Sequence, residues 1–153
     1  LRGIRLAGGV FVNFVNVVDV ERPIEDVFAY LADFENVPSW NYAIAETEKT
    51  SDGPVGVGTT YRQIRTLPSR SEESFEVTVY EPHRSLGLSG TLGPFAAELE
   101  YHLEPFHRGT RLTNEVDLRP RGILGVVGQL AGSRVKEAVA DNLAELKQIL
   151  ESR

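Results

Sequence analysis

Tyr61, Gln63 and Arg65 recur at every second position, so on a strand they share one face with Thr59. A phenol, an amide and a guanidinium on one face could orient a carbonyl or hydroxyl, and a tyrosine or arginine can assist enolisation. Asn114 stands between Leu112 and Val116, and Tyr101 between Leu99 and Leu103, each on an otherwise apolar face. A buried polar group without a partner costs about 1–3 kcal/mol. Asn114 is therefore expected to pair with Gln63, Tyr61 or ordered water in a filled core, or to orient a polar group of a bound molecule. Phe75, Phe95 and Tyr101 suit core packing first and the wall of an apolar site second. Trp40, the only tryptophan, follows Pro38 in a segment expected to form one lip of such a site. Val127, with Ile123, Leu124 and Val126 between glycines, is expected to form a second apolar lip.

Other constellations are weaker. His102 lies between Glu100 and Glu104, a metal-like grouping, but on a strand these side chains line the solvent face. Glu72-Glu73 and the Glu98/Glu100 pair suggest carboxylate catalysis, yet nothing in the sequence places them in a cavity, and no inward histidine or carboxylate is evident. Gly56-x-Gly58 lacks the strand-to-helix setting of a phosphate loop, and no serine occupies a nucleophile elbow. The chain has no cysteine, which excludes disulfides, thiolate metal sites and cysteine nucleophiles. A net charge of −6 argues against nucleic acid and against docking on anionic membranes. No apolar run approaches the roughly 20 residues of a bilayer span, so no stable membrane insertion is expected. Arg2 and Arg5 precede Val10–Val18 as in a signal peptide, but Asn13 and Asn16 interrupt the run and no cleavage site follows. The expectation is a cytoplasmic protein with a leader over residues 1–9 and one domain over residues 10–152.

The elements that would position these residues are legible from period. Phe11–Val20 reads as a strand ending at Glu21-Arg22-Pro23, and Pro23–Ala32 as a short amphipathic helix with Glu25 and Asp26 at its positive end. Asp33–Trp40 reads as a second helical turn broken by Pro38. Strands follow at Ala43–Thr50, Thr59–Leu67, Ser71–Glu81, Ser85–Ser89, Phe95–Glu104 and Thr110–Arg119. Val77 and Val79 alternate there with Glu76, Thr78 and Tyr80, and Gly90–Pro94 reads as a turn. From Gly122 to Ser152 the apolar spacing of three and four predicts one helix about 40–45 Å long. Antiparallel strands with a long helix on one face make an α+β domain.

This order, together with several local phrases, resembles the START-like, birch-pollen-allergen-like (SRPBCC) superfamily, nearest its polyketide cyclase/dehydrase and lipid-transport-like branch. The phrases are Val20-Glu21-Arg22-Pro23-Ile24-Glu25-Asp26-Val27-Phe28-Ala29-Tyr30-Leu31-Ala32-Asp33, Val37-Pro38-Ser39-Trp40, Val57-Gly58-Thr59, Glu81-Pro82 and Gly109-Thr110-Arg111-Leu112-Thr113. The resemblance implies a helix-grip fold, in which a seven-stranded curved antiparallel sheet wraps the C-terminal helix, with two short helices between the first two strands. It also implies a cavity for a small hydrophobic molecule, such as a polyketide, lipid, isoprenoid or aromatic metabolite. Ligand contacts are expected from Trp40, Tyr61, Gln63, Phe75, Phe95, Tyr101, Asn114 and Val127, with no metal and no cofactor. A cyclase, aromatase or dehydratase using the same cavity is the alternative, and an interaction module with a filled cavity the third. A homodimer stays open.

Overall fold

The computed structural model describes residues 5–7, 11–121 and 128–153. Its strands are β1 (Arg5–Ala7), β2 (Phe11–Val20), β3 (Ile44–Lys49), β4 (Thr60–Arg65), β5 (Ser71–Glu81), β6 (Ser85–Leu92), β7 (Phe95–Phe106) and β8 (Gly109–Pro120). Its helices are α1 (Ile24–Ala32), a 3-10 turn at Phe34–Asn36, α2 (Val37–Trp40) and α3 (Gly128–Glu151). Strands β2 to β8 are the seven expected, forming a curved sheet that grips α3. Arg5–Ala7, inside the stretch expected as a leader, adds a short eighth strand paired with β2.

All neighbours are antiparallel, in the order β1-β2-β8-β7-β6-β5-β4-β3. Strands β2 and β3, separated in sequence only by the short helices, therefore lie far apart in the sheet. Helices α1 and α2 make that crossing. Pro23 ends β2 and caps α1, and Glu25 and Asp26 occupy the first turn, where the helix dipole favours anions. Val27, Phe28, Tyr30 and Leu31 form its buried face.

The structure corrects three local readings. Pro38 does not break the second helical turn; it sits in the first turn of α2, where its missing N–H costs no hydrogen bond. Strand β6 runs on to Leu92, so the turn shrinks to Gly93-Pro94. A register shift between Val77 and Val79 reverses the end of β5. The extra residue turns Tyr80 inward, with its ring edge-on to Phe28 at 5.5 Å between centroids.

Alternation along the strands builds one apolar face against α3. Leu143, Leu146 and Leu150 of α3 pack with Val20, Leu86, Leu103 and Leu112 in the larger core. Val12, Phe14, Phe95, Ala97, Val116 and Leu118 form a second cluster. Between the two runs a polar row: Asn16 pairs in register with Asn114, and Asn114 with Tyr101. The C-terminal end of α3 is tied down. Arg22 donates to the carbonyls of Leu150 (3.2 Å) and Arg153 (2.7 Å), and the Glu21 amide to Glu151 (2.8 Å). That amide holds the Glu151 carboxyl below its ordinary range. Residues 122–127, expected to open the last helix, lie outside the described residues.

Candidate functional site

Beneath α2 the inner face of the sheet leaves a cavity of about 80 Å³. Phe34, Val37 and Trp40 roof it, and Phe75, Leu88, Leu92, Ala97 and Leu99 supply apolar walls. Asn41, Gln63, Arg65, Thr91 and Tyr101 add polar groups. Gly90 permits the close approach of β6 to β5 on this wall, since a Cβ there would lie 2.6 Å from the Cβ of Phe75. Phe75 stacks on Tyr61 at 5.0 Å between centroids, and Phe34 meets both rings edge-on. A wider depression of about 470 Å³ lies between Asp19–Glu21, the β7–β8 turn and Lys147. It is open and of mixed charge, and Lys147 already donates to the Asp19 carbonyl at 2.5 Å, so the inner cavity is the better candidate.

One end of the cavity carries a buried ion pair. Glu73 is 3% exposed and Arg65 is 8% exposed. Glu73 Oε1 accepts from Arg65 Nε and from the Gly93 amide (3.1 Å). Its Oε2 accepts from Gln63 Nε2 (3.0 Å) and Arg65 Nη2 (3.4 Å). The carboxylate thus joins β4, β5 and the β6–β7 turn. The indole N–H of Trp40 is buried with no acceptor among the described residues.

A sequence profile for the polyketide cyclase / dehydrase and lipid transport family matches residues 12–151, nearly the whole described domain. The chain belongs to this family. The same fold recurs in the ZhuI aromatase/cyclase of Streptomyces sp. R1128, with a TM-score of 0.79 at 15% identity over 94% of this chain and 95% of that one. It recurs in TTHA0849 of Thermus thermophilus, with a TM-score of 0.77 at 16% identity over 92% and 97%. Ara h 8.0201 matches with a TM-score of 0.72 at 16% identity over 94% and 99%. No curated protein matches in sequence. At these identities the solved structures establish the fold and nothing finer.

Of the residues expected at a site, Trp40, Gln63, Phe75 and Tyr101 line this family member's cavity. Tyr61 stands behind Phe75, and Phe95 packs in the second core cluster. Asn114 is fully buried on the inner face, but its amide nitrogen and oxygen have no partner among the described residues. Gln63, one of the partners open to it, donates to Glu73 instead. Val127 lies outside the described residues. His102 sits on the outer face, 3.7 Å from Glu100 and 3.8 Å from Glu115.

Glu73 is the residue the sequence reading missed, and it overturns the statement that no carboxylate faces inward. A signal was present: Glu73, Phe75 and Val77 share one strand face, so an inward Phe75 carries Glu73 with it. Strand β4 places the matching cation on the facing strand, with Gln63 directly opposite Glu73.

Burial also marks the tyrosines. Removal from water, with a smaller push from Asp33 and Glu35, raises the Tyr61 phenol to about 12. Burial alone raises Tyr101 further. Both phenols stay protonated in the folded protein after the unfolded chain has ionised near pH 10. The unfolded state then binds fewer protons, so stability falls as pH rises. Urea titrations should show Tyr61 removing about 1.4 kcal/mol per pH unit between pH 10 and 12. Tyr61→Phe is expected to remove that share and leave the part due to Tyr101; an unchanged slope would show that the Tyr61 phenol ionises freely in the fold.

Proposed function

We propose that this protein binds a small, mainly apolar molecule in the cavity beneath α2. The observation that carries the reading is a mainly apolar recess with a few polar side chains on its walls, the usual design of a small-molecule site. Apolar walls supply affinity at about 25 cal/mol per Å² buried before ordering costs. Gln63, Arg65, Tyr101 and the Trp40 indole N–H supply orientation. At about 80 Å³ the recess holds a group of roughly one ring. A larger lipid or polyketide would have to displace the buried Phe34–Trp40 lip. Family membership supports a ligand of that general kind. Among the described residues no helix is long and apolar enough to cross a membrane.

A second reading, catalysis of cyclisation or dehydration, is favoured by the buried Arg65–Glu73 pair at the cavity. Arg65 would polarise a ketone there, and the walls would hold a flexible chain near its reactive conformation.

Native mass spectrometry of protein purified from its own host, followed by extraction, tests the binding reading. We expect a co-purifying apolar molecule, and saturable binding of the neutral one-ring probe phenol, followed through Trp40, that Leu99→Phe suppresses by filling the recess. A clean apo mass together with no saturable probe binding would favour a filled interaction module. Turnover of the extracted molecule would favour the enzyme.

A further inference from the structure

We propose that Glu73 sets the ligand class, so that the site selects neutral hydrogen-bond acceptors over carboxylates by spending the charge of Arg65 inside the protein. This rests on the binding reading above. An arginine in an apolar recess would ordinarily recruit an anion, because its planar fork matches a carboxylate. Here that position is already filled. Arg65 gives two of its donors to Glu73, and Gln63 and the Gly93 amide complete four hydrogen bonds to the same carboxylate.

Donors are left for a guest. A guanidinium has five N–H donors, so Arg65 keeps some free, and the Trp40 indole N–H has no acceptor among the described residues. Acceptor oxygens of Asn41, Gln63, Thr91 and Tyr101 also line the cavity, but the one full charge there, on Arg65, is already answered by Glu73. Apart from Arg65, no residue lining it carries a formal charge near neutrality. Glu73, Arg65's partner, balances it to zero. The next carboxylates, Asp33 and Glu35, lie close enough to act on Tyr61, and they add negative potential. A carboxylate guest would enter a desolvated space beside Glu73, with like charge opposing it and no free counter-ion. A ketone, ester or amide oxygen takes the same donors without that cost.

Benzamide and benzoate are the probes, matched in shape and different in charge, and of a size the recess accepts. The single tryptophan provides one indole N–H signal for titration by heteronuclear NMR at pH 7. Wild-type protein is expected to bind benzamide at least about tenfold more tightly than benzoate. Glu73→Gln keeps the side-chain shape, leaves Arg65 unbalanced, and should reverse the preference. Arg65→Gln removes the cation instead and should sharpen the exclusion of benzoate. Benzoate binding wild type as tightly as benzamide overturns the proposal, whether or not the Glu73 variant folds. If neither probe moves the Trp40 signal, the binding reading itself fails, and this inference with it.

Discussion

Glu73→Ala is expected to destabilise the protein by about 3–5 kcal/mol, the cost of leaving one partner of a buried ion pair alone. The loss should be large because the carboxylate accepts four hydrogen bonds from Gln63, Arg65 and the Gly93 amide. Its removal strands a guanidinium that is 8% exposed and frees the β6–β7 turn at once. Urea unfolding monitored through Trp40 measures it, as a shift of midpoint at constant slope. The double replacement Arg65→Met with Glu73→Leu, apolar and of similar volume, should recover most of the loss, since a buried pair is expensive to break and nearly neutral to replace. A single-variant loss below about 1 kcal/mol would mean that Arg65 swings out to water, and that the pair is a surface contact in solution.

The second large effect has the opposite sign. Asn114→Leu is expected to stabilise the fold by about 2–4 kcal/mol, because two buried polar atoms without protein partners are replaced by a side chain of the type around them. Asn114 is fully buried between Leu112 and Val116 on β8, and its amide nitrogen and oxygen are both unpartnered among the described residues. Leucine there would join the two core clusters that the Asn16–Asn114–Tyr101 row divides. Thermal and urea unfolding of the variant, without added ligand, give the number. A loss of stability would show that the amide is satisfied by something the protein does not itself supply, and would move Asn114 into the binding site.

These two residues also show how far the sequence reaches. Period-two alternation places Asn114 on the inner face from sequence alone, since β8 runs without a bulge from Thr110 to Leu118 opposite β2. The same rule yields the strands along the chain, and apolar spacing of three and four yields the stripe of the C-terminal helix. Such features depend on neighbours within a few residues. The phrases from Val20–Asp33 and Val37–Trp40 to Gly109–Thr113 add the family, because their order runs through most of the domain.

What tertiary structure decided is which groups meet. Of the partners open to Asn114, namely Gln63, Tyr61, water or a bound molecule, the β4–β5 register sets Gln63 opposite Glu73, and its amide N–H is used there. Glu73 looked like half of an exposed acidic pair with Glu72; only the pairing with β4 shows Arg65 waiting on the same face. Tyr80 was assigned to the outer face, and one inserted residue at Val77/Val79 turned it against Phe28. The physical reason is common to all three. Alternation determines a side chain's face only relative to its own strand, whereas register, bulges and charge pairing are settled by hydrogen bonds to strands that are distant or offset in sequence.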